Sequence, residues 1–126
     1  MASGQTDEGA AVEVVKTYIM LMVQDMDRAA TFYREAFGLT IRFVSPDWSE
    51  LAWRDATLAL HGGRSNLDRQ TTGLGFEVDD LDEACRLVAR AGGTVVVAPA
   101  DRPGEAIRLA EVADPEGNVL SVAQST

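Results

Sequence analysis

The segment VQDMDRAATFYREAFGL, from Val23 to Leu39, returns in altered form as VDDLDEACRLVARAGGT, from Val78 to Thr94. At a constant offset of 55, Val23 matches Val78, Asp25 matches Asp80, Asp27 matches Asp82, Ala29 matches Ala84, Ala36 matches Ala91 and Gly38 matches Gly93. These are the positions that define a strand end, a helix cap, a small-residue helix face and a helix stop. An Asp before the first helical turn accepts orphan backbone N–H groups, and a glycine after the last turn tolerates the left-handed conformation that ends it. A chain of 126 residues that repeats such a unit has room for one domain built from two half-modules sharing a core.

The rest of the chain fits that plan. Val12 to Val23 is rich in Val, Ile and Met and reads as a long strand. Ala29, Phe32, Tyr33, Ala36 and Phe37 recur at helical spacing after Asp25. LTIRFVS, WSELAWR and ATLALHG read as three further strands, the last two joined by a hairpin at Arg54-Asp55. After a polar stretch, GLGFEVDD restarts the pattern. A helix follows with inner face Leu81, Ala84, Leu87, Val88 and Ala91, stopped by Gly92-Gly93, and then the strands TVVVAPA, AIRLAEVAD and VLSVAQ. Each half is therefore βαβββ. The expected division is a flexible tail over 1–14, a first module over 15–62, a linker over 63–72 and a second module over 73–126, the modules together forming one α+β domain.

Composition narrows the function classes. A net charge of -9 disfavours nucleic acid and anionic membranes as partners, since both would repel the chain. No apolar run approaches the roughly 20 residues of a membrane helix, and the acidic start does not read as a secretory signal, so a cytoplasmic protein is expected. The single cysteine, Cys85, falls on the apolar helix face and reads as a small buried hydrophobe. One His and one Cys do not build a Cys/His zinc site.

The segments VQDMDRAATFYREAFGL, LGFEVDDLDEACRLVARAGG and VADPEGNVLSV together resemble the vicinal oxygen chelate superfamily, over essentially Lys16 to Gln124. That superfamily includes glyoxalase I, bleomycin resistance proteins, fosfomycin resistance proteins and extradiol dioxygenases. The resemblance implies paired βαβββ modules forming an open, curved mixed sheet around a cavity. It also implies a homodimer, with modules paired within one chain or swapped between two. The DPEGN piece has a structural sense of its own: Asp-Pro opens a turn and Gly117 supplies a left-handed position.

Enzymes of this family hold a divalent metal on nitrogen and oxygen donors from cavity-facing strand positions. Counting from the alignable motifs places Tyr18, Ala59, Gly73 and Ser121 in those slots, and none is a good ligand. The expectation is therefore no metal and no cofactor. His61 follows Ala59 by two residues and so shares its side of the strand. It reads as a strand-end histidine, a hydrogen-bonding group for a ligand, a general base or a lone metal ligand. Alternation from Tyr18 adds Met20 and Met22, as core or as pocket wall. Gly75 follows Gly73, and two glycines on one strand leave room. Trp48 and Trp53, from the third-strand region, suit a flat or greasy ligand. Arg42 and Arg54 read as solvated by default.

The predicted ligand set is Tyr18, Met20, Met22, Trp48, Trp53, His61, Gly73, Gly75 and Ser121. The reading it supports is a metal-free protein that binds a small hydrophobic or aromatic molecule, as bleomycin resistance proteins do. The alternative is an enzyme: a glyoxalase-like lyase or dioxygenase, or a metal-independent isomerase using His61 or Tyr18.

Overall fold

The computed structural model describes residues 11–63 and 70–126, so part of the predicted tail and most of the predicted linker lie outside the described residues. The first module comprises β1 (Ile19–Val23), α1 (Met26–Phe37), β2 (Thr40–Phe43), β3 (Trp48–Trp53) and β4 (Ala56–Gly62). The second comprises β5 (Gln70–Glu77), α2 (Leu81–Arg90), β6 (Thr94–Arg102), β7 (Ile107–Ala113) and β8 (Asn118–Ser125). The strands form two mixed four-stranded sheets of the same order, β1-β4-β3-β2 and β5-β8-β7-β6. In each, the strand before the helix pairs parallel with the last strand, and the remaining pairs are antiparallel. The result is an α+β fold of paired βαβββ modules with no closed barrel. No helix among the described residues is long and apolar enough to cross a membrane.

The first strand is shorter than its composition predicts. Residues 12–18 are exposed and outside regular structure, and β1 starts at Ile19. Among the described residues its ladder is with Leu58 to Gly62 of β4 alone, and upstream Val and Tyr have β propensity but no described strand alongside.

Both helix caps form as the repeat predicts. The Asp25 side chain accepts from the backbone N–H of Arg28 at 3.1 Å, and Asp80 accepts from that of Glu83 at 3.0 Å. The stops differ. Gly38 ends α1 with φ 70°, but in α2 the left-handed residue is Gly92, φ 101°, one position before the sequence match of Gly38. Gly93 is needed for space instead: a Cβ there would lie 2.6 Å from the Ala113 carbonyl oxygen and 2.7 Å from the Phe32 ring.

The two modules share one core. Phe32 and Tyr33 of α1 and Leu81 and Val88 of α2 are fully buried with Leu21, Leu51, Leu60, Leu120 and Val122 from the sheets. Burying each such side chain contributes about 1.5–3 kcal/mol. Cys85 packs partly buried against this cluster, and desolvation raises its thiol pKa, which suits packing rather than nucleophilic chemistry.

The DPEGN turn joins the modules. Asp114 Oδ1 accepts from the backbone N–H groups of Glu116 (2.8 Å) and Asn118 (2.9 Å), closing the turn. Its Oδ2 accepts from the Tyr33 hydroxyl at 2.7 Å, reaching back to α1. The Glu116 carboxylate is fully buried and accepts from the backbone N–H groups of Gln24 (2.8 Å) and Asp25 (3.0 Å) and from the Arg28 guanidinium (2.7 Å). Asn118 Nδ2 donates to the Met22 carbonyl at 3.0 Å. A turn of the second module thus satisfies the end of β1 and the entry to α1 in the first.

Candidate functional site

Cross-strand register builds one face of the first sheet. Met20 pairs with Ala59 and Ala59 with Glu50, while Met22 pairs with His61 and His61 with Trp48. Because side chains alternate along a strand, these residues share the face opposite the core residues Leu21, Leu51, Leu58 and Leu60. Tyr18, just before β1, meets Trp48 edge-on with ring centroids 5.6 Å apart, and Trp48 meets His61 edge-on at 6.1 Å. Tyr18, Met20, Met22, Trp48, Ala59 and His61 are therefore brought onto one surface. Tyr18 is 52 % exposed and Met20 44 %, so this face is open and Met20 is not core.

Glu50 is the residue that sequence reasoning missed. It stands in the middle of β3, only 7 % exposed, on the same face. Its carboxylate accepts from Trp48 Nε1 at 2.9 Å and from Lys16 Nζ at 2.9 and 3.0 Å, and Arg42 Nη1 lies 3.6 Å away. The Trp48 hydrogen bond, the Lys16 hydrogen bond and the two cationic neighbours hold its pKa below the ordinary carboxylate value, against the desolvation of burial. The signal was present in the sequence: Glu50 follows Trp48 by two residues, and a carboxylate inside an apolar strand requires partners. Arg42, which also donates to the Thr57 hydroxyl at 3.0 Å, is one of them rather than a merely solvated side chain.

His61 is exposed and has an orienting contact. Its Nδ1 lies 2.8 Å from the Gly62 carbonyl oxygen. A carbonyl oxygen only accepts, so this contact places the proton on Nδ1 and leaves the Nε2 lone pair for a ligand or a proton.

The second module repeats the geometry with different side chains. Gly75 pairs with Ser121, and Ser121 with Glu111. Gly75 is the offset partner of Met20, so Ser121 corresponds to Ala59 and Glu111 to Glu50. Gly73 lies in the irregular part of the β5–β8 ladder with φ 80°. Among the described residues, no hydrogen bond, ion pair or ring contact joins Gly73, Gly75 and Ser121 to the Tyr18–Trp48–His61 group. Trp53 is also apart. It lies five residues after Trp48, hence on the other face of β3, and is 54 % exposed with the Arg54 guanidinium 5.3 Å from its ring centroid.

The donor set does not fit the divalent metal that enzymes of such families hold. Tyr18, Ala59, Gly73 and Ser121 occupy the slots, the Glu50 carboxylate is already taken up by Lys16 and Trp48, and no three His, Cys, Asp or Glu among the described residues are grouped to hold an ion.

Comparison with known proteins agrees with the fold. The family model of the glyoxalase/bleomycin resistance protein/dioxygenase superfamily matches residues 17–122. No curated protein matches. A glyoxalase/bleomycin resistance protein/dioxygenase family enzyme from Burkholderia phytofirmans PsJN is 20 % identical, with 86 % of this chain and 97 % of that one covered and a TM-score of 0.73. A glyoxalase-related enzyme from Fulvimarina pelagi is 23 % identical, with 90 % and 89 % covered and a TM-score of 0.71. The fosfomycin resistance protein FosX from Listeria monocytogenes, in its complex with Mn(II) and sulfate, is 15 % identical, with 91 % and 93 % covered and a TM-score of 0.76. With its two βαβββ modules and a family match that runs through both, the chain belongs to the glyoxalase/bleomycin resistance protein/dioxygenase superfamily.

Proposed function

We propose that this chain is a metal-free binding protein, similar in role to bleomycin resistance proteins, that holds a small hydrophobic or aromatic molecule against the open face of the first module. The observation that carries this reading is the edge-on series Tyr18, Trp48 and His61 on a face where Tyr18 and Ala59 stand in place of metal donors. Edge-to-face aromatic groups offer flat apolar surface to a ring, and His61 Nε2 offers one polar contact. Gly75 and Ser121 widen the equivalent face of the second module. The working form is a cytoplasmic homodimer, in which a second copy covers part of the apolar surface at Tyr18 and Met20. Native mass spectrometry of the purified protein tests all three points: a dimer carrying an organic adduct and no stoichiometric metal is expected. A stoichiometric metal whose removal by EDTA abolishes turnover of a glyoxalase or dioxygenase substrate would overturn the reading.

The second reading is a metal-independent isomerase with His61 as base. The 2.8 Å contact to the Gly62 carbonyl favours it, since it fixes the tautomer that leaves Nε2 able to take a proton. It requires turnover that His61→Gln removes while ligand affinity stays within a few-fold.

A further inference from the structure

Lys16 is the only lysine in the chain, and it is committed to a carboxylate that is nearly buried. Its Nζ donates to both Glu50 oxygens, at 2.9 and 3.0 Å. The chain reaches that contact only by leaving the sheet. Met20, Ala59 and Glu50 form one row across β1, β4 and β3. A straight continuation of β1 would put Lys16 four residues before that row, about 13 Å along the strand, and about 10 Å across the sheet from β3. A lysine and a glutamate side chain, with the hydrogen bond between them, fall short of that separation. The residues before Ile19 therefore turn in from the sheet edge and pass over the face that holds Glu50, Trp48 and Met20.

This overlying segment is lightly held. Among the described residues, its hydrogen bonds and ring contacts to the sheet are those of Lys16 with Glu50 and of Tyr18 with Trp48. Val12, Val14 and Val15 are 86 %, 67 % and 93 % exposed, so apolar packing does little to anchor it. The Lys16 side chain is 45 % exposed against 10 % for Glu50, so the ammonium is the partner that can leave into water. Glu50 then keeps Trp48 Nε1 at 2.9 Å and Arg42 at 3.6 Å, and its charge is not left unpaired. We propose that residues 11–17 are an autoinhibitory strap, latched by Lys16 on Glu50 and hinged at Tyr18, that lifts from the first-module face before a ligand settles against Trp48. The inference rests on the binding role proposed for that face. A strap that is mostly closed lowers apparent affinity by the fraction of chains that are open, and a ligand that binds the open form raises that fraction in return.

The test titrates N-phenyl-1-naphthylamine, a neutral aromatic probe, into the full chain and follows its fluorescence. Lys16→Ala is expected to bind it about three-fold tighter than the parent or more, and Lys16→Arg, which keeps the charge of the latch, to stay near the parent. Lys16 is exposed, so both variants are expected to fold, which circular dichroism checks. A second measurement separates a strap from a wall residue that has merely been trimmed. An endoproteinase specific for lysine has one target in this chain, the Lys16–Thr17 bond. Saturating probe should speed that cut in the parent by a factor similar to the affinity gain, since the cut follows the open population. Slower or unchanged cleavage with probe bound overturns the strap, because the probe would then lie beneath a closed segment or beside a fixed one. Equal affinity in the parent and Lys16→Ala also overturns it and leaves the binding role of the face intact. Lys16→Arg binding as tightly as Lys16→Ala overturns the ion pair as latch, and the proposal with it. A probe that binds no form of the chain sinks the strap together with the binding role on which it rests.

Discussion

Replacing Glu116 by Ala removes a fully buried carboxylate that serves three donors from the other module. The backbone N–H groups of Gln24 and Asp25 and the Arg28 guanidinium all lose their acceptor. An unsatisfied buried donor costs about 1–3 kcal/mol. Gln24 and Asp25 are exposed residues, so water recovers part of that, and about 1 kcal/mol each is the appropriate end of the range. The Arg28 side chain is 50 % exposed and rehydrates readily, so its lost ion pair adds about 1 kcal/mol or less. The sum is about 3 kcal/mol, a fall in Tm of roughly 10 °C for a domain of this size. Arg28→Ala leaves both backbone bonds in place and should cost about 1 kcal/mol. Glu116→Gln keeps one oxygen acceptor and should fall between the two. Urea unfolding followed by circular dichroism gives these differences, with the m-value unchanged if the modules still unfold together. A Glu116→Ala protein within 1 °C of the parent would refute the reasoning. An Arg28→Ala protein as damaged as Glu116→Ala would show that charge pairing, rather than the backbone tether, carries the energy.

Tyr33→Phe removes the hydroxyl that donates to Asp114 in a buried setting and should cost about 1–3 kcal/mol in the same assay. Burial first, and then the Asp114 charge, push the Tyr33 pKa well above its ordinary value. The neutral phenol is therefore favoured in the folded state, and its contribution is complete below pH of about 10 and lost as pH rises further. The alkaline fall in stability should be shallower in Tyr33→Phe, and an identical fall would count against this. Glu50 has the opposite sign. Its pKa is lowered, so its contribution is present above about pH 4.3 and lost as pH falls through its folded value. Trp48 fluorescence should report that protonation below pH 4.3, and a transition that survives in Glu50→Gln would sink the assignment. Gly93→Ala should destabilise by about 1–3 kcal/mol because its Cβ meets the Ala113 carbonyl, Phe32 and Val88 at 2.6–2.8 Å, and a neutral substitution would show that these neighbours yield.

The order of elements was legible because strands and helices leave periodic marks within a few residues. The two capping aspartates survive in the structure as predicted, and of the predicted inner face of α2 Leu81, Ala84 and Val88 are buried and Ala91 packs on the core, whereas Leu87 is only half-buried and does not join it. The first strand was read too long because Val12, Val14 and Val15 carry propensity, while pairing depends on what lies alongside. Trp53 was grouped with Trp48 by residue type, although their odd spacing already separated them. Glu50 was passed over because a single acidic residue in a strand resembles solvated surface until Lys16 and Arg42 are seen beside it. The join between Glu116 and Gln24 spans 92 residues, and no local pattern announces a contact of that range.

Glu50 and Glu111 occupy the same node of two like-ordered sheets, yet their surroundings have diverged. Lys16, Arg42 and the Trp48 indole surround the first. The Glu111 side chain has no hydrogen bond or ion pair among the described residues. Two surfaces with related strand register therefore differ in polarity. A molecule spanning both would find similar backbone in either orientation and dissimilar charge, so one orientation would be preferred even where shape alone allows two.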